Sequence, residues 1–215
     1  MPRISIEHKM INDHTISYLA LGDSYTIGEA VPAAGSFPYQ LAAQLKAEQI
    51  VVAEPHIIAT TGWTSSELQA AIKTAALARK FDLVTLLIGV NNQYRGESIT
   101  VYRQEFAALL QTALDFAGGD KTRVFVVSIP DWGATPFGAA SGRGQDAIAS
   151  DIDAFNAVNK EETLLAGVSY TDITPASRAA VADPELVAED GLHPSEKMYS
   201  DWVNNLLPAV LKILK

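Results

Sequence analysis

The chain has 215 residues, with 25 Asp and Glu against 16 Lys and Arg, a formal net charge of −9 and no cysteine. Without cysteine there is no disulfide, thiolate metal site or cysteine nucleophile, and scattered basic residues on an acidic chain argue against a nucleic-acid partner. No apolar run approaches the ~20 residues that span a bilayer, so no stable membrane insertion is expected. Residues 1–14 carry Arg3, Glu7, His8, Lys9 and Asp13 without an apolar core. That is no signal-peptide pattern, and a cytoplasmic location is the expectation.

In chain order, five strand-like runs alternate with helical patterns, which predicts a parallel sheet covered on both faces. The first run, Ile16 and Tyr18–Leu21, is broken by the turn residues Gly22 and Asp23 and delivers Ser24 to the carboxyl end of a strand. A helix over Ser36–Gln49 follows from Phe37, Leu41 and Leu45. Ile50–Thr60 reads as a strand interrupted around Pro55. Thr64-Ser65-Ser66-Glu67 is a capping-box pattern that opens a helix to about Arg79. Asp82–Ile88 is the clearest buried strand, and Tyr102 to Ala113 mark a helix ended by Gly118-Gly119.

Arg123–Ile129 is the fourth strand. The Pro-, Gly- and Ala-rich stretch from Pro130 to Gln145 is long for a loop and is placed to overhang the edge that holds Ser24. A helix through Ile148 to Val158 leads to the last strand, Val168–Ile173. The terminal helix opens at Ser195, and Pro208 is expected to kink or interrupt it. No repeat or linker divides the chain, so residues 1–215 read as one domain.

The chemistry must come from groups that this topology gathers at one sheet edge. Ser24 is either an exposed nucleophile or an ordinary cap serine. Gly62, after the second strand, either brings its backbone N–H close to a ligand or only makes a turn. Asn91, beyond the glycine that ends the third strand, either donates its amide to a developing oxyanion or closes an Asx turn. In Asp190-Gly191-Leu192-His193 the acid can return to the ring, accept the Nδ1 hydrogen and leave Nε2 as a base. His8, His14 and His56 have no comparable partner pattern and read as surface or packing residues. No cluster has metal-ligand spacing.

Taken in order, Gly-Asp-Ser, the glycine after the second strand, Gly-x-Asn after the third and Asp-x-x-His before the last helix resemble the SGNH hydrolase (GDSL-type esterase/lipase) superfamily across essentially the whole chain. Tyr25 stands where the family's name has leucine, and Asn92 where aspartate is common. The resemblance implies a three-layer α/β/α sandwich with a five-stranded parallel sheet, flavodoxin-like in plan. It further implies a serine esterase without cofactor or metal, acting on a small-molecule ester.

Carried onto the matching residues, Ser24 is the nucleophile, His193 the base and Asp190 the orienting acid. The oxyanion hole is the Ser24 N–H, the Gly62 N–H and the Asn91 side chain. Asp23, Trp63, Tyr94, Trp132 and Arg143 are candidates for substrate contact, with core packing the equal alternative for the three aromatics and a solvated loop position the alternative for Arg143. The stretch 130–145 is a candidate pocket wall or lid. The competing expectations are a non-catalytic flavodoxin-like binding module and a pseudoenzyme with a closed pocket. A monomer or weak homodimer is expected.

Overall fold

The structure is a computed structural model that describes residues 14–215. The signal-peptide reading of the N-terminus and the expectation for His8 fall largely outside these residues. Five parallel strands form one sheet: β1 (Tyr18–Asp23), β2 (His56–Thr60), β3 (Leu83–Leu87), β4 (Val124–Val127) and β5 (Ser169–Thr171). Their spatial order is β2-β1-β3-β4-β5. The chain leaves β1 toward β2 on one side, then crosses to β3 on the other. Strand order therefore reverses between β1 and β3, and ligands of open α/β sheets bind at such a switch point, beyond the carboxyl ends of the strands.

The helices are α1 (Ser24–Ile27), α2 (Phe37–Ala47), α3 (Ser65–Ala75), α4 (Val90–Tyr94), α5 (Ile99–Phe116), α6 (Pro136–Ala140), α7 (Gln145–Leu165), α8 (Thr174–Ser177) and α9 (Glu196–Leu214). α2 packs on α9, while α3, α5 and α7 pack in series, so helices cover both faces of the sheet. This is the expected α/β/α sandwich. β1 and β3 are buried along their whole length, which explains their near-continuous apolar sequences. Leu19, Leu21, Leu86 and Val126 form the centre of the core, and Phe37, Tyr102, Phe106 and Trp202 bring helical side chains onto it.

Several boundaries differ from the sequence expectation. Gly22 and Asp23 belong to β1, because β2 continues the pairing to their positions (Gly22 with Ala59, Asp23 with Thr60). In the interrupted second run only His56–Thr60 is strand; Val52 makes a single bridge to Ile16 on the other side of Pro55. The capping box forms as expected, Thr64 accepting from Glu67 N–H and the Glu67 carboxylate from Thr64 N–H, but α3 stops at Ala75. Ala76 takes a left-handed conformation there (φ 47°). α9 runs through Pro208 without interruption. The proline lacks the N–H that would bond four residues back, and Asn204, which keeps the unpaired carbonyl, lies on the exposed face where water can serve it.

Candidate active site

Ser24 is the first residue of α1, directly at the end of β1, and is almost fully buried. The turn is tight enough to require glycine two residues earlier. A Cβ on Gly22 would lie 2.0 Å from Thr26 Oγ1 and 2.5 Å from the carbonyl of Leu87. Asp23 is the N-cap of α1, its Oδ1 accepting from Tyr25 N–H at 3.0 Å.

The acid–base pair comes from the loop before α9. Asp190 Oδ1 accepts from the N–H groups of Leu192 and His193, both at 2.9 Å, and Oδ2 meets His193 Nδ1 at 2.5 Å. One carboxylate thus fixes both the loop backbone and the ring. Because the carboxylate accepts, Nδ1 carries the proton and Nε2 is free to act as a base. Burial opposes ionisation of Asp190, but the His193 ring and these two N–H groups outweigh it and hold the carboxyl below its ordinary range. Pro194 biases His193 toward an extended backbone, and the segment is pinned by Ala188 N–H on the His193 carbonyl at 2.8 Å. The His193 ring stands edge-on to that of Tyr25, the residue after Ser24, with centroids 5.6 Å apart.

Among the described residues no hydrogen bond joins Ser24 Oγ to His193; that link commonly tightens only with substrate bound. Tyr25, in the position of the family leucine, is buried and packs its ring against both His193 and Trp202.

The oxyanion side is built across three strand ends. Gly62 follows β2 with φ +85°. A Cβ there would meet nothing closer than Arg95 Nη2 at 3.9 Å, so backbone conformation rather than space calls for glycine. Its N–H makes no backbone hydrogen bond among the described residues, while the next peptide is held on all sides. Arg95 Nη2 donates to the Gly62 carbonyl at 2.6 Å, and Arg95 is itself paired with Glu67 at 3.3 Å. Asn91 Nδ2 donates to the Trp63 carbonyl at 2.9 Å, and among the described residues no backbone N–H donates to its Oδ1, so Asn91 makes no Asx turn. From the α1 side, the Thr61 hydroxyl donates to Glu29.

Asn92 ties the two loops together. It is fully buried, accepts from Ser65 N–H at 3.0 Å, and donates to Ser65 Oγ at 2.7 Å and to Glu97 Oε2 at 2.8 Å. Glu97 explains why asparagine stands here. An aspartate at this position would set one carboxylate against another.

Two of the substrate-contact candidates, Asp23 and Trp132, lie in the interior. Asp23 is fully buried beneath the nucleophile turn, and its Oδ2 has no partner. Burial dominates over the N–H groups of Tyr25 and Asp23 and pushes its carboxyl up to about 7. Trp132 is 2% exposed and donates from Nε1 to Gln93 Oε1 at 2.8 Å, which makes it a core residue that supports α4. Trp63 is half-buried against the core; Tyr94 and Arg143 are exposed. The stretch after β4 is ordered: a 3-10 turn over Trp132–Ala134 leads into α6. Its base is held by Asp131, which meets Arg178 Nε at 2.8 Å. α6 is joined to the acid–base loop by Phe137 N–H on the Gly191 carbonyl at 2.9 Å.

The sequence pattern did not single out Arg95, Glu97 or Glu29, and it marked Asn92 only as a departure from the family. Arg95 was within reach of a helical argument, since it lies four residues beyond Asn91 and so on the same face.

The chain resembles several solved structures throughout its length. TesA superposes with a TM-score of 0.70 at 18% identity over 92% of this chain and 99% of that one. A lipase/acylhydrolase from Enterococcus faecalis gives 0.73 at 20% identity, covering 94% and 98%. The psychrotrophic esterase EstA from Pseudoalteromonas sp. gives 0.69 at 15%, covering 92% and 98%. At such identities these show the fold. No curated protein sequence matches significantly. The family itself is shown by sequence, since residues 20–200 match the model of the GDSL-like Lipase/Acylhydrolase family. With Ser24 on its strand-end turn and the bonded Asp190–His193 pair beside it, this supports a serine ester-hydrolase mechanism, and the chain belongs to the GDSL-like lipase/acylhydrolase family.

Proposed function

We propose that the chain hydrolyses carboxylic esters of short acyl groups, with Ser24 as nucleophile, His193 as base and then acid, and Asp190 as the group that orients the imidazole and stabilises it when charged. The observation that carries this is the His193 ring, held by Asp190 at 2.5 Å and packed against the residue after Ser24. As Ser24 Oγ attacks the ester carbonyl, His193 Nε2 takes its proton. The carbonyl oxygen gains a negative charge, met by the Ser24 and Gly62 N–H groups and the Asn91 amide. Collapse breaks the bond to the alcohol, which leaves with the proton from His193. Water then attacks the acyl-serine by the same route, giving the carboxylic acid and restoring Ser24.

The short acyl preference rests on space. The cavity between Tyr25, Trp132 and Leu192, next to the acid–base loop, has a volume of about 10 Å³, no more than one water needs, so it takes no acyl chain. With no tunnel there to enclose it, a longer acyl chain gains no further buried contact. The test is hydrolysis of p-nitrophenyl esters from acetate to octanoate by wild type and Ser24→Ala. Rates should fall beyond about butyrate and vanish in the variant. Equal rates in both proteins would remove Ser24 as nucleophile, and a rise toward octanoate would remove the short-acyl preference.

A further inference from the structure

Arg143 stands on the segment after β4, with its guanidinium carbon 4.5 Å from the centre of the Tyr94 ring and 5.7 Å from that of Trp132. Nη1 donates to the Tyr94 carbonyl at 2.9 Å, and Nε and Nη2 have no hydrogen-bond partner among the described residues. In a chain with 25 acidic residues this isolation is unusual. Arg95, Arg103, Arg123 and Arg178 each lie against at least one carboxylate. Arg79 is the other described arginine without one, and it covers Phe81 at the opposite edge of the sheet.

The platform under Arg143 connects the two halves of the candidate site. Tyr94 is three residues from Asn91 on α4, hence on the same helical face. Phe137, 6.4 Å from the Tyr94 ring, is bonded through its N–H to Gly191, between Asp190 and His193. Tyr94 is 41% and Phe137 39% exposed, so the platform is open to a ligand. A guanidinium stacked on rings is held in place at little further entropic cost, and its free edge presents a planar fork that matches a carboxylate.

From this arrangement we propose that the site selects esters carrying a second, anionic carboxylate group, which the free edge of Arg143 binds while the neighbouring carbons of the substrate lie on Tyr94 and Phe137. The inference rests on the esterase reading above. It also gives the acidic surface a role, since repulsion of anions elsewhere leaves this edge as the favoured place for one.

The experiment compares matched ester pairs with wild type, Arg143→Gln, Arg143→Lys and Ser24→Ala. One pair places the carboxylate on the acyl side (p-nitrophenyl hydrogen glutarate against p-nitrophenyl valerate). The other places it on the alcohol side (4-carboxyphenyl butyrate against phenyl butyrate). In at least one pair, wild type should favour the anionic ester. Arg143→Gln should raise KM for that ester about tenfold and leave the neutral partner within about twofold. Arg143→Lys should restore only part of the preference, and added salt should weaken it. Equal losses on neutral and anionic esters would show a merely structural arginine, and no preference in either pair would overturn the proposal. Activity abolished by Ser24→Ala but indifferent to Arg143 would defeat this inference alone. Activity indifferent to Ser24→Ala would defeat the esterase reading and this inference with it.

Discussion

The two sides of the candidate site are built on opposite plans. The acid–base side is self-contained: Asp190 reaches His193 three residues on, and its other oxygen folds the intervening backbone. The oxyanion side has no such local unit. Gly62 and Asn91 are brought together by side chains that bond backbone on other elements, Arg95 to Gly62, Asn91 to Trp63 and Asn92 to Ser65, over separations of 27 to 33 residues. A group that must rotate and carry a proton is placed by one short loop. The proposed oxyanion donors are cross-linked from several directions, which is what preorganised charge stabilisation requires.

That contrast can be broken from either side. The largest expected loss is from Asp190→Asn, which keeps the loop acceptor but no longer fixes the protonated Nδ1 tautomer; kcat for ester hydrolysis should fall ~10⁴-fold. Asn91→Ala should cost on the order of 10²–10³ in kcat with little change in KM. Arg95→Ala should lower kcat about tenfold by releasing the Gly62 peptide, and added methylguanidinium should recover part of it, because Arg95 is exposed enough for the small cation to reach its place. A KM effect without a kcat effect would instead make Arg95 a substrate contact.

Asn92→Asp tests the cross-link itself. It should cost about 1–3 kcal/mol in denaturant unfolding, and Glu97→Gln in the same chain should restore much of it by removing the opposed carboxylate. The last effect is on pH. With its folded pKa raised to about 7, Asp23 binds a proton that the unfolded chain has already released. Its contribution to stability is therefore present below about pH 4 and lost as pH rises through about 7, at up to about 1.4 kcal/mol per pH unit. Asp23→Asn keeps the oxygen that caps Tyr25 and should flatten that slope; an unchanged slope would assign it to other groups.

What the sequence made legible follows the same division. Asp190 and His193, the Thr64–Glu67 capping box and the apolar strands are local patterns, set by spacings of two to four residues. Asn92 could be seen as a departure from the family but not explained, because Glu97 and Ser65 meet it only after α3 and α4 are packed. For Trp132 the sequence left ligand contact and core packing equally open. Its burial depends on Gln93, 39 residues away, which supplies the acceptor that lets an indole N–H enter the core. Asp23 was misplaced for a similar reason: adjacency to a nucleophile in sequence places the next side chain along a strand on the opposite face.

The brevity of α1 has a consequence for how charge is managed. A helix of four residues aligns too few peptide dipoles to present a sizeable positive end to an anion. The turn that carries Ser24 therefore brings little long-range field, and in the proposed mechanism stabilisation of the anion falls to a small number of discrete donors at contact distance. Such an arrangement gains little from the rest of the scaffold's electrostatics. It tolerates wide change in surface charge, including the acidity of this chain, and concentrates its fragility in the few residues that hold those donors still.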